Sequence, residues 1–160
     1  MTVKFILNGE DVAINAEANQ RLITILREHF SLTAAKTGCL DGSCGACTVI
    51  FNGAVSPACL IPAFRVQGSE IITLEGFSQT DEYQDIAAGF AKSAVESCGY
   101  CDAGKILTAE LLLEQSLNPG REDFAAAFRG IRCRCTEEEN LYRGILAAGE
   151  ERRRRIHGRF

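Results

Sequence analysis

The stretch Gly38-Cys39-Leu40-Asp41-Gly42-Ser43-Cys44-Gly45-Ala46-Cys47 sets three cysteines in the pattern C-x4-C-x2-C, and a fourth, Cys59, follows further along. That spacing is the one of plant-type 2Fe-2S ligation. Four thiolates must converge on one small object while backbone amides come close to its sulfurs, which only a glycine-rich loop with few bulky side chains allows. Gly38, Gly42 and Gly45 are expected to take positive φ. Their amides, with neighbours such as that of Ala46, are expected to donate to sulfur and stabilise the reduced state. Zinc sites usually separate their ligands into distant C-x2-C knuckles, so three cysteines in one short loop favour iron-sulfur over zinc. A disulfide reading leaves awkward pairings within so short a loop.

Working outward, the chain has eight cysteines. The four not yet assigned fall into a C-x2-C, Cys98 and Cys101, and a C-x-C, Cys133 and Cys135. Each pair precedes a helical pattern, so two helix N-termini, which favour anionic groups, are expected to point at one centre. By spacing alone this second quartet is ambiguous, because C-x2-C is also a common zinc pairing.

The 160 residues, 46% of them apolar, suit one ordinary domain or two small ones. Halves of about 75 to 80 residues bury little core, and an inorganic centre in each would tie together loops that apolar burial alone holds weakly. The stretch Met1 to Glu10 has neither the basic start nor the apolar run of a signal peptide. Reduced thiolates in the cytoplasm are therefore expected. No apolar run reaches the roughly 18 residues of a membrane span. A formal net charge of -4 argues against a general nucleic-acid or membrane-surface role. The run Arg152 to Arg155 is expected to be a solvated tail.

Along the chain, Val3 to Leu7, the turn Asn8-Gly9 and Val12 to Ile14 predict an opening β-hairpin. Arg21 to Phe30 spaces Leu22, Ile25, Leu26 and Phe30 as an amphipathic helix. Strands are expected at Thr48 to Phe51, ending at Asn52-Gly53, and at Ile71 to Leu74. Beyond Phe77 the β-branched runs give way to helical patterns at Asp81 to Lys92, Ala103 to Gln115, Glu122 to Arg129 and Glu138 to Arg153. The fold class is α+β, with one unit at 1–78 and a helical one at 79–160.

With GCLDGSCGACTV, CGYC and CRCT in place, the chain resembles, over nearly its whole length, the small iron-sulfur subunit of the molybdenum hydroxylases, the xanthine dehydrogenase and aldehyde oxidase family. The resemblance implies a β-grasp ferredoxin-like domain whose 2Fe-2S cluster is held by Cys39, Cys44, Cys47 and Cys59. It also implies a four-helix bundle holding a second 2Fe-2S cluster through Cys98, Cys101, Cys133 and Cys135, with Gly99 in the ligand loop. Partners are implied as well: a large molybdopterin-binding subunit that oxidises the substrate, and an FAD-binding subunit that receives the electrons. Cys135 would lie against the pterin, and the loop from Gly42 through Gly45 to Ala46 would face the flavin. The alternative is a free-standing two-cluster ferredoxin without a molybdenum partner.

The chain departs from the family around the second site. Where the family commonly reads QCGFCTPG, this sequence has Ser97-Cys98-Gly99-Tyr100-Cys101-Asp102-Ala103-Gly104. Ser97 replaces a glutamine that usually hydrogen-bonds the pterin. Asp102 is expected to cap the following helix rather than to act as an added charge beside the cluster. The family's NLCRCTGY becomes Ile131 to Tyr142, longer and more acidic. His29 and His157 are read as surface or packing residues, and Phe124 with Phe128, one helical turn apart, as core.

Overall fold

The computed structural model describes residues 1–158. Its first half is a five-stranded sheet with one helix across it. Strand β1 (Thr2–Leu7) pairs antiparallel with β2 (Glu10–Asn15), Phe5 opposite Val12. Asn8 and Gly9 both have positive φ, 51° and 85°, as a two-residue hairpin turn of this hand needs. In β1, Val3, Phe5 and Leu7 are buried while Thr2, Lys4 and Ile6 face out, the period-2 alternation of a strand with one wet face.

Helix α1 (Leu22–His29) buries Leu22, Ile23, Ile25 and Leu26 against that face. Strands β3 (Thr48–Phe51) and β4 (Ala54–Pro57) form a second hairpin around Asn52 and Gly53, again both at positive φ. The strand at Ala54–Pro57 was not legible, since among its four residues only Val55 favours a strand. Strand β5 (Glu70–Ile72) enters between the hairpins, parallel to β1 and antiparallel to β3, giving the order β2-β1-β5-β3-β4. A mixed sheet wrapped on one helix is the expected β-grasp arrangement.

The second half is helical: a short α2 (Leu74–Phe77), then α3 (Asp81–Lys92), α4 (Asp102–Gln115), α5 (Arg121–Ala127) and α6 (Glu138–His157). Thr80 caps α3 by accepting from the Tyr83 amide. Helices α3 and α6 pack closely because Gly89 lies against the backbone of Ala148 and Gly144; a methyl there would sit 2.3 Å from the Ala148 nitrogen. Phe124 and Phe128 are buried and stacked, centroids 4.9 Å apart, as core.

One expectation fails here. The arginine run is not a solvated tail. Arg152 is 5% exposed and bonds Asp85 at 3.3 Å and Glu110 at 2.6 Å, both carboxylates equally enclosed. Arg155 grips Asp85 from the other side at 2.7 Å and reaches Glu82. Arg153 and Arg154 do face solvent. With 3.6 residues per turn, four consecutive side chains cannot share one face, so a run that looks uniform in sequence is split by the helix.

The halves are joined broadly. Ile50 of β3 belongs to the helical core, with Ile72 and Leu74 packed beside it, and α4 lies against β3 and β4. No helix among the described residues is long and apolar enough to cross a membrane.

Candidate metal centres

The first cysteine loop leaves α1 and returns to β3. Gly42 and Gly45 adopt positive φ, 82° and 77°, as expected, but Gly38 does not, and Leu40 takes φ 60° in its place. Gly38 is required for a different reason: a Cβ there would lie 2.7 Å from Cys44 Sγ. Main-chain amides point at sulfur, with Ser43 N 3.2 Å from Cys39 Sγ, Ala46 N 3.4 Å from Cys44 Sγ and Cys59 N 3.5 Å from Cys47 Sγ. Each amide favours a thiolate over a thiol. Cys47 is buried, and burial pushes its thiol up to about 12, with the neighbouring Cys59 and Cys44 adding to the rise. Three sulfurs that repel one another's ionisation fit a site completed by a cation.

The second quartet is drawn tighter. Cys98, Cys101 and Cys135 have their sulfurs within 4.8 Å of one another, and Cys133 Sγ is 3.1 Å from Cys101 and 3.3 Å from Cys135. Burial and the adjacent Cys133 push the Cys101 thiol far above its ordinary range. Free thiols gain little from such crowding, whereas a metal centre that takes one sulfur from each of four cysteines draws them together. Cys101 sits at the N-cap of α4, and Cys135 lies shortly before α6. Both helices thus begin beside the sulfurs.

Asp102 is not the N-cap but the first residue within α4, because Cys101 occupies the cap position. It is buried and turned back onto the ligand loop: one carboxylate oxygen accepts from the Ser97 hydroxyl and from the Gly99 amide at 3.0 Å. Ser97 is therefore engaged within its own loop. The other Asp102 oxygen has no hydrogen bond and faces Lys105 Nζ at 3.5 Å.

Lys105 is the residue that the sequence reading missed. It is 1% exposed, and its ammonium touches the Glu96 carbonyl, Cys135 Sγ and Thr136 Oγ1. Burial alone would lower its basicity, yet the sulfurs of Cys101, Cys133 and Cys135 together with Asp102 leave it raised. The signal was present, since Lys105 follows the ligand Cys101 by one helical turn and so shares its face.

The two cysteine loops meet. The Arg132 amide donates to the Cys44 carbonyl at 2.9 Å, and the Tyr100 hydroxyl donates to the Thr37 carbonyl at 3.0 Å. Gly45 is pressed on Gly130 and Ile131, where a Cβ would meet the Gly130 oxygen at 2.7 Å. Thus the Cys44–Ala46 side of the first loop faces the helical half, and of the residues expected to face the flavin, Gly45 and Ala46 are buried while Gly42 lies nearer the open side. The side open to solvent carries the apolar Leu40 and, over Gly42, Leu60, which is 55% exposed. Around Cys135 lies an open polar cleft with Glu96, Arg134, Glu137 and Asn140. His29 and His157 are exposed.

Comparison with known proteins agrees with this geometry. Residues 5–71 match a 2Fe-2S iron-sulfur cluster binding domain, and residues 73–146 match a second 2Fe-2S binding domain. The nicotinate dehydrogenase small FeS subunit of Eubacterium barkeri is 41% identical over 150 residues, covering 94% of this chain and 96% of the relative. Among solved structures, quinoline 2-oxidoreductase from Pseudomonas putida superposes with a TM-score of 0.85 at 34% identity, covering 96% of each chain. The aldehyde oxidoreductase of Desulfovibrio desulfuricans does so at 0.83 and 32%, with 98% of this chain matching 17% of that one. On its fold, its paired cysteine loops and a relative similar from end to end, the chain belongs to the family of small 2Fe-2S subunits of the molybdenum hydroxylases.

Proposed function

We propose that this chain carries electrons within a molybdenum hydroxylase, from the molybdopterin centre of a large partner subunit, through two 2Fe-2S clusters, to FAD on a further subunit. The observation that carries this reading is the direct contact of the two cysteine loops, made by Arg132 on Cys44 and by Tyr100 on Thr37. Electron exchange between two centres falls steeply with separation, and here the two loops touch directly, with Gly104 of α4 packed against Gly45 beside them. A 2Fe-2S cluster accepts and returns one electron at a time, which no side chain of this protein supplies.

The residues then have separate tasks. Cys39, Cys44, Cys47 and Cys59 would hold the first cluster in a ferredoxin-like domain at 1–78. Cys98, Cys101, Cys133 and Cys135 would hold the second in a helical domain at 79–160, whose last two residues lie outside the described ones. Amides of the first loop, including that of Ala46, donate to sulfur and favour added negative charge. Gly45 and Gly99 shape the two loops, both at positive φ. The apolar edge at Leu40 and Leu60, beside Gly42, is the side offered to the flavin subunit, and the polar cleft around Cys135 the side offered to the pterin. Substrate oxidation belongs to the large subunit, and the complex is assigned to the cytoplasm.

The test is the content of iron, labile sulfide, zinc and molybdenum in the complex purified without oxygen, with EPR of the reduced sample. About four iron and four sulfide per chain, two distinct rhombic signals and co-purifying molybdenum are expected from two such clusters. Zinc in place of half the iron would overturn the second ligand set. Four iron with no molybdenum-containing partner would replace this reading with a free-standing ferredoxin.

A further inference from the structure

We propose that Lys105 sets the reduction potential of the second cluster, holding it higher than the cysteine loops alone would. The inference rests on the ligand reading above, in which Cys135 binds that cluster.

The geometry points to a buried cation held against a ligand sulfur. An ammonium has three N–H donors and no acceptor. Here the groups in reach are all acceptors: the Glu96 carbonyl at 2.5 Å, Cys135 Sγ and Thr136 Oγ1 each at 3.5 Å, and a carboxylate oxygen of Asp102 also at 3.5 Å. At 1% exposure the ammonium is shielded from bulk solvent. One of these contacts is to a ligand sulfur, and the buried positive charge stands beside it. Donation to a ligand sulfur raises a cluster's potential, and a buried positive charge does the same, because reduction adds one electron and one negative charge to the centre. No bond forms or breaks in that step and no proton is transferred; the electron comes from the large subunit's centre and leaves to the first cluster.

The arrangement is built rather than incidental. Thr136 donates its own proton to the Glu96 carbonyl at 3.0 Å, which leaves its oxygen free to accept from Lys105. Asp102 stands on the far side at 3.5 Å with an oxygen that makes no hydrogen bond, so it balances Lys105 in charge without itself donating to sulfur. Lysine and aspartate should thus move the potential in opposite directions. The first loop is approached differently, by main-chain amides and, at Cys39, by the Asp41 and Ser43 side chains. It serves as an internal reference about which the second cluster can be measured in the same molecule.

The experiment is an EPR-monitored redox titration of the intact complex, reading the two cluster signals separately. In K105M, which keeps the length and apolar stem of lysine, the second cluster's oxidised-to-reduced ratio at a fixed poise should rise tenfold or more, about 59 mV for a one-electron couple. In D102N it should fall, and in both variants the first signal should stay in place. K105Q, a neutral donor, should lie between K105M and the parent. Should K105M fail to assemble the second cluster, K105Q and D102N decide. An unmoved second signal in all assembled variants, or equal movement of both signals, overturns the proposal and leaves Lys105 a structural tie. Absence of a second signal in the unaltered complex would instead refute the ligand reading itself.

Discussion

The two halves of this chain are stabilised by different means. The sheet half encloses a core of Val3, Phe5, Leu22, Ile25, Val49 and Ile71, and its buried polar residues are the uncharged Thr48, Ser69 and Thr73. The helical half encloses Asp85, Asp102, Lys105, Glu110 and Arg152, and the ion pairs among the described residues all fall in it. The same contrast runs through the two cysteine loops, the first approached by main-chain amides and the exposed Asp41, the second braced by a buried lysine and a buried aspartate. Backbone donors come with the loop conformation. Buried charges depend on partners from elsewhere in the sequence, and they fail when one partner is lost.

The largest effect that follows is at Arg152. Removing it leaves Asp85 and Glu110 enclosed with one cation fewer, and breaking a buried pair in this way costs on the order of 3–5 kcal/mol. R152M should therefore lower the thermal midpoint of the complex by many degrees, lost first from the helical half. R155M should cost less, since that side chain is partly open to solvent, and R153M and R154M next to nothing. Hydrogen exchange in α3 and α6, compared with β1 and β2, reads the difference. Four equal effects, or protection lost equally from both halves, would remove the distinction between them.

A second test lies where the halves touch. At Gly45 a side chain meets two penalties: φ is 77°, and a Cβ would stand 2.7 Å from the Gly130 carbonyl oxygen and 2.5 Å from Ile131 Cδ1. Strain of about 1–2 kcal/mol for the left-handed backbone adds to about 1–3 kcal/mol for overpacking. G45A should thus destabilise the junction by roughly 2–5 kcal/mol. The expected readout is increased proteolysis around residues 129–132 and a fall in iron per chain. G53A, at a similar φ but with open space around it, carries the first penalty alone. Equal losses in the two variants would mean that the junction contributes nothing at Gly45.

These two sites also show how far the sequence could be read. Elements with local causes were legible: the Asn8-Gly9 turn fixes the first hairpin, apolar spacing fixes α1 and α3, and C-x4-C-x2-C marks the first loop. Gly45 was legible as a turn glycine but not as a contact with Gly130, because that approach depends on how α5 ends beside the loop. Arg152 was misread for a related reason. A charged residue on a helix is normally solvated, and only the packing of α3, α4 and α6 brings Asp85, Glu110 and Arg152 together. Lys105 stood one turn after Cys101 in plain sight. Its significance appears only when Glu96, Thr136 and Cys135, distant in sequence, close around it.

The smallest expected effect bears on the junction as a path rather than a support. Tyr100 lies in the second cysteine loop, 49% exposed, and its hydroxyl donates to Thr37 just before the first loop. Y100F removes that one hydrogen bond and keeps the ring. An exposed bond of this kind is worth about 0.5–1.5 kcal/mol, so the melting point should fall by only a few degrees and iron content should be unchanged. If the hydroxyl also holds the loops at their working separation, the magnetic interaction between the two reduced clusters, read as splitting in the EPR spectrum, should weaken in Y100F while each cluster keeps its own potential. K105M should show the converse, an altered potential with the splitting preserved. A splitting unchanged in Y100F would mean that Arg132 and the packing of Gly45 fix the separation alone, and that the two loops are coupled through their backbones, as the first of them is built.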